Sequence, residues 1–242
     1  HLANTTDNQN SVSKTTKDSY WELQNTGKGV LPPKAATKLE IKQLEKRWYS
    51  LQAILKELGS IQKELLSLAG ESKQILWAGD FVVVIQLGKL SSKAVMEGWL
   101  KHLLVCAYGT PPKATIVIAK SSSKSKKELF EIALQWNPVS TSNAKEHLTS
   151  LKNIAAQGLQ QCWPIPPKSG WALAHANWKE PHKGPNSFRQ AWDGGFKSQG
   201  EKVNDVMQLC FGTNCHASDI LRSDGFEEAY LLLYKPLIDS LV

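Results

Sequence analysis

Apolar residues first fall into helical register at Leu44, Trp48, Leu51, Leu55 and Leu58, three and four apart, with Lys and Glu between them. Gly59 stops that pattern. The period then shortens. IQKELLSL, KQILW and FVVVIQL read as strands, the last two joined as a hairpin through Ala78-Gly79-Asp80. FVVVIQL is almost continuously apolar, the mark of a central strand covered on both faces. After Gly88 the helical period returns at Val95, Trp99, Leu103 and Cys106, with Ser91 or Ser92 as cap and Gly109 to Pro112 as stop. ATIVIAK is a second buried strand, and SSSKSKK is a flexible basic loop. In ELFEIALQW, Phe130, Ile132, Leu134 and Trp136 alternate with Glu131 and Gln135. Helices are expected over 141–156, after Lys168, and through GFEEAYLLLYKPLIDSL as one piece.

The order from Leu39 to Lys120 is helix, three strands, helix, strand. A hairpin followed by a helical crossover predicts an α/β fold with a mixed central sheet and helices packed on it. There are no internal repeats. The polar stretch over residues 1–19 carries no apolar anchors and is expected to be a disordered lead-in to a piece of a longer protein.

Composition changes this picture in one place. The chain has 242 residues, 41% of them hydrophobic, enough for a sizeable core, and a formal net charge of +7. From Lys89 to Lys127 lysines recur and the single acid is Glu97. A basic block of that kind favours an acidic partner, and nucleic acid is the commonest. Cys106, Cys162, Cys210 and Cys215 form no CxxC pair, which is the usage of a reducing compartment with free thiols. Cys210, Cys215 and His216 match no zinc spacing. No apolar run is long enough to span a membrane, and a cytoplasmic location is expected.

The elbow CWPIPPKSGWALA raises a separate question. Pro164, Pro166 and Pro167 fix φ and extend the residues before them. Ser169 is placed to cap the next helix, and Trp163 and Trp171 can bury large area on either side of the bend. Packing is the favoured role, with ligand contact by Lys168 the lesser alternative. Together with GVLPPKAA, QLGKL followed by GWLKHLL, Gly200-Glu201 and FEEAYLLLYKPL, this elbow resembles the C-terminal region of RecC over residues 20–242. RecC is the gamma subunit of exodeoxyribonuclease V, the RecBCD helicase–nuclease complex of DNA repair and recombination. The resemblance implies a catalytically degenerate core of the PD-(D/E)xK, restriction-endonuclease-like kind over about 39–136, and a C-terminal helical part over about 141–242. It also implies motif residues of structural role at Lys89, Pro166, Pro167, Lys168 and Trp171, and RecB, RecD and DNA as partners.

An active site of that superfamily needs a carboxylate on the second core strand and an acid-x-Lys pair on the third. The carboxylates hold a divalent metal, and the Lys helps position the attacking water. Here KQILW carries no acid. On the third strand Gln86 stands where the acid belongs and Gly88 where the Lys belongs. Lys89 is one residue on, so it points to the opposite face. In the following helix, Trp99 and His102 fall where active relatives carry Gln and Tyr. The expectation is a fold kept and a chemistry lost: no catalytic residue, no metal, no cofactor. The alternative is an active metal-dependent nuclease with displaced ligands, using Asp80, Glu64 or Glu71; it requires Asp80 and one of those glutamates to converge beside Lys89. Asp80 alone reads as a turn former, and His102 as a hydrogen-bonded histidine of a packed helix. A purely structural module that meets only protein is a third reading, and the lysine block speaks against it. Lys113, Lys120, Lys124, Lys126 and Lys127 are the candidate phosphate contacts.

Overall fold

The computed structural model describes residues 24–25, 28, 35–68, 71–123, 129–195 and 198–242. The lead-in over 1–19, Lys124, Lys126 and Lys127, and the side chain of Glu71 lie outside the described part. The chain divides between Ala53 and Ile54, inside the helix α1 (Ala35–Leu58), into two compact units. In the first unit α1 buries Thr37 and Leu51 and leaves Trp48 and Tyr49 exposed. The second unit, Ile54–Val242, carries everything that follows.

Its sheet has five strands in the order β1 (Ile61–Leu68), β2 (Glu71–Ala78), β3 (Phe81–Lys89), β4 (Ala114–Lys120), β5 (Phe130–Trp136). β3 and β4 are parallel and the other neighbours antiparallel. Parallel neighbours need a long crossover, and α2 (Ser92–Tyr108) supplies it, capped by the Ser91 side chain accepting from the Ala94 N–H. The α/β class, the mixed sheet, the hairpin and the central place of FVVVIQL are thus as the periodicity predicts. α2 sits close to the sheet because Gly98 has no side chain. A Cβ there would come within 3.1 Å of the Trp136 ring and 3.2 Å of Val117.

Beyond the sheet come α3 (Thr141–Gly158), α4 (Pro167–Lys179), α5 (Gly184–Asp193), the minimal strands β6 (Gly194–Gly195) and β7 (Ser198–Gln199), a 3₁₀ turn at Glu201–Val203, then α6 (Asp205–Phe211), α7 (Ala217–Leu221), α8 (Phe226–Leu233) and α9 (Lys235–Asp239). One apolar cluster joins Val84, Val117 and Leu134 of the sheet to Trp99 and Leu103 of α2 and to Trp171, Phe188, Trp192 and Leu237 of the later helices. Trp136 is its hinge pin. The ring is fully buried, Nε1 donates to the Leu237 carbonyl at 3.1 Å, and the backbone of Trp136 bridges to Leu241. The last residues therefore extend the β5 edge.

Three expectations are corrected and one helix is new. Ile132 is 44% exposed, because a register shift at Val117/Ile118 passes over Ala133 and interrupts the alternation of β5. The final helix is two, α8 and α9, with Pro236 near the start of the second. α5, with Phe188 and Trp192 buried one turn apart behind Pro185, is a helix the sequence reading passed over. Cys162 and Cys210 are not free thiols. They form a disulfide with Cα atoms 5.5 Å apart, while Cys106 and Cys215 stay free. A separation of 48 residues carries no pairing signal, so only the packing of the elbow against α6 brings these two together.

Candidate functional site

β2 and β3 separate almost as soon as they meet. β2 pairs with β1 along its whole length but with β3 only at Trp77–Val82 and Ala78–Phe81. β3 turns instead to β4, with which it stays in register from Phe81 to Ile85. The fork between them holds a cavity of about 260 Å³ lined by Lys63, Gln74, Leu76, Val83, Val84, Ile85, Gln86, Ala94, Glu97 and Lys101. Apart from Glu97, its polar groups are amides and ammonium groups. Glu97, the one acid in the lining among the described residues, receives the Lys101 ammonium at 2.8 Å one turn along α2.

Gln86 and Gly88 lie where this fork opens. Gln86 is half-buried, and Leu87 is 76% exposed as β3 leaves the core. A Cβ on Gly88 would find only the Gln86 amide nitrogen, at 3.6 Å, so the two positions share a face and Gly88 has room for a side chain. Backbone strain does not account for the glycine, nor burial for the glutamine. Lys89 is exposed and stands in register with Lys120 on β4, two like charges on neighbouring strands.

Asp80 is elsewhere. It sits in the β2–β3 turn, where its carbonyl accepts from the Lys113 N–H at 2.8 Å. It lines a second, wider groove of about 720 Å³ with Lys63, Glu64, Trp77, Thr110, Pro112 and Lys113. There the Glu64 carboxylate accepts from Trp77 Nε1 at 2.8 Å, and the Lys113 ammonium lies 5.2 Å over the Phe81 ring. Asp80 and Lys89 stand at opposite ends of β3, roughly 25–30 Å apart by strand rise. Lys113 and Lys120 are likewise at opposite ends of β4. Among the described residues no three of His, Cys, Asp and Glu converge in a way that could hold a metal ion. The fork has a single described acid, and in the wider groove Glu64 and Asp80 are joined by no third described His, Cys, Asp or Glu.

Trp99 and His102 face inward rather than toward the fork. Both are buried, their rings stacked with centroids 5.1 Å apart. His102 Nδ1 shares a hydrogen bond with Thr115 Oγ1 at 2.9 Å, and Nε2 lies 3.8 Å from the Cys106 sulfur. Burial lowers the His102 pKa to about 4 and raises that of the Cys106 thiol. A neutral imidazole beside a protonated, solvent-free thiol has neither a substrate path nor an activated nucleophile. This group is core.

The elbow is built around a residue for which the sequence reading assigned no role. Glu201, 9% exposed, caps α4 from 32 residues away. Its carboxylate accepts from Lys168 N at 2.8 Å, Ser169 N at 2.6 Å and Ser169 Oγ at 2.7 Å. Ser169 is therefore not the cap. Pro166 occupies the cap position and has no side-chain acceptor, so the acid at the end of Gly200-Glu201 does that work against the positive end of the helix. Tyr234 donates its hydroxyl to the Pro167 carbonyl at 2.9 Å. Burial, and then the Glu201 charge, hold the Tyr234 phenol well above its ordinary range. Gly170 lets that ring in, since a Cβ there would meet Tyr234 and Ile165 at 2.8 Å. Trp171 is buried, and the Lys168 ammonium donates to the Gln199 carbonyl at 3.2 Å. The signal for Glu201 was in the sequence, as an acid following a glycine among short polar turns. Its partner 33 residues upstream was not.

Among the described residues no helix is long and apolar enough to cross a membrane. No curated protein matches the chain. A family model described as the RecC C-terminal domain matches residues 9–178, which takes in both the fork and the elbow and leaves Gly200-Glu201 and FEEAYLLLYKPL beyond it. With most of its length matched, the chain belongs to the RecC C-terminal domain family, that of a subunit of exodeoxyribonuclease V in DNA repair and recombination.

Proposed function

We propose that this chain is a non-catalytic DNA-handling and assembly domain, built on a PD-(D/E)xK-like core whose metal-binding acids are gone. The observation that carries the reading is the fork. Where an acid-x-Lys pair would stand β3 carries Gln86 and Gly88, and among the described residues the one acid lining the fork, Glu97, is engaged by Lys101. An amide cannot replace a carboxylate as a metal ligand without losing the charge that offsets the dication's desolvation. The competing nuclease reading needs Asp80 and a glutamate beside Lys89, and the length of β3 opposes that.

In this reading the domain works in the cytoplasm with RecB and RecD. It meets DNA through phosphate contacts by lysines, among them Lys113 and Lys120 and the loop lysines Lys124, Lys126 and Lys127. The core over about 39–136 and the helical part over about 141–242 act as one scaffold. The test has two arms. The chain, incubated with linear duplex DNA and Mg²⁺ or Mn²⁺, leaves the DNA intact, and it co-purifies with RecB and RecD from the same source. Metal-dependent degradation that disappears in Asp80→Ala would overturn the non-catalytic reading. Failure to retain either subunit would overturn the assembly role.

A further inference from the structure

Neither the fork nor the elbow accounts for a stack of rings on α4. Trp171, His175 and Trp178 recur at four and three, so their side chains share one stripe of the helix. Their rings lie nearly parallel. Trp171 and His175 are 5.0 Å apart with planes at 23°, and His175 and Trp178 are 5.9 Å apart, again at 23°. The ladder runs outward from the core. Trp171 is 7% exposed, His175 is half-buried and Trp178 is 38% exposed.

The outer end is unfinished in two ways. Among the described residues no further ring stacks on Trp178. The indole N–H of Trp178, like that of Trp171, also donates to no acceptor among the described residues, although Trp77, Trp136, Trp163 and Trp192 each donate to a carboxylate or carbonyl oxygen. Lys179 flanks the ladder closely enough for its charge to act on His175. Burial, and then that charge, lower the His175 pKa to about 4, so at neutral pH the middle rung is a neutral π surface. Three pre-aligned rings ending in an exposed indole, with a free donor and a lysine beside it, have the chemistry of a platform for a planar, anion-bearing ring. An unpaired nucleotide is such a group: its base can stack and its phosphate can pair with the ammonium.

We propose that Trp178, backed by His175 and Trp171 and flanked by Lys179, is a stacking site for an unpaired base of single-stranded DNA. For its class of ligand the proposal rests on the DNA-handling reading above. It does not depend on the state of the fork.

The test uses the full chain and a fluorescently labelled oligo(dT), with affinity read by anisotropy and stacking read by quenching of the intrinsic tryptophan emission. Trp178→Ala is expected to weaken oligo(dT) binding on the order of tenfold, as for loss of one stacked base. Its melting temperature should fall only modestly, since the removed side chain is 38% exposed. Trp178→Phe should keep most of the affinity and lose most of the quench. Lys179→Ala should weaken binding less and flatten its salt dependence. Affinity for a blunt duplex should not respond to Trp178→Ala. If Trp178→Ala binds oligo(dT) as the parent chain does, or if the quench survives in Trp178→Phe, the stacking site is wrong while DNA handling stands. If the parent chain binds no oligo(dT), both fall.

Discussion

The elbow and the fork both place a lysine near polar side chains, yet they end in opposite states. At the elbow every polar group is committed inward. Glu201 takes three donors, Tyr234 closes on Pro167, and Lys168 reaches a backbone carbonyl. At the fork only Lys101 and Glu97 satisfy each other, both near the surface, and Gln74, Gln86 and Lys63 face a cavity. A buried carboxylate surrounded by donors holds structure, because removing it leaves those donors unpaired. An open cleft lined by amides and ammonium groups contributes little to stability, and it lacks the charge to hold a metal. The difference separates what the domain needs in order to stand from what it presents to a partner.

The largest expected effect comes from the elbow. Glu201→Ala strips the start of α4 of its cap and leaves two backbone N–H groups and a buried hydroxyl without partners, for a loss of about 3 kcal/mol or more in denaturant unfolding. Glu201→Gln should recover part of that. An Ala variant as stable as the parent would mean that Glu201 is not what fixes the elbow.

The next effect is carried by pH. The His102 imidazole takes a proton near 6.5 in the unfolded chain and only near 4 in the fold. Between those values the unfolded state binds the extra proton. The stabilisation is therefore complete above about pH 6.5 and is lost as the pH falls toward 4. Its size is about 3 kcal/mol for His102, and His175 acts in the same direction. Denaturation followed across that window should lose part of its slope in a His102→Gln variant that folds. An unchanged slope would place the titration elsewhere.

The fork should hardly register. Gln86→Ala is expected to shift stability by no more than about 0.5 kcal/mol, as for a surface position. A cost of several kcal/mol would show that Gln86 is part of the packing, and the contrast with the elbow would fail.

Much of the sheet was legible because each strand in it carries its own period. FVVVIQL and ATIVIAK are buried runs between clear stops, and the amphipathic α2 between them dictates the parallel pair. The fork was legible only as an absence, the missing acid at Gln86 and the missing lysine at Gly88. That β2 leaves β3 after two pairs is a property of the twisted sheet that no spacing records. The cap by Glu201, the Cys162–Cys210 disulfide and the seat of Trp136 against Leu237 join residues tens of positions apart, so local pattern could name the partners only singly. The ladder on α4 leaves an aromatic spacing in the sequence that went unread there, and its graded burial and parallel planes leave no local signal.

The most direct measurement of the central claim is metal uptake by the chain, read without DNA. Mn²⁺ is titrated into the chain and the free ion followed by electron paramagnetic resonance, with Asp80→Ala as comparison. The expected result is a free-ion signal that rises in proportion to added Mn²⁺ and is identical in the two chains, since the fork's one described acid is paired with Lys101 and the Asp80 and Glu64 of the wider groove gain no third ligand among the described residues. Saturable uptake of one Mn²⁺ per chain, abolished by Asp80→Ala, would contradict it and return the domain to the active nucleases.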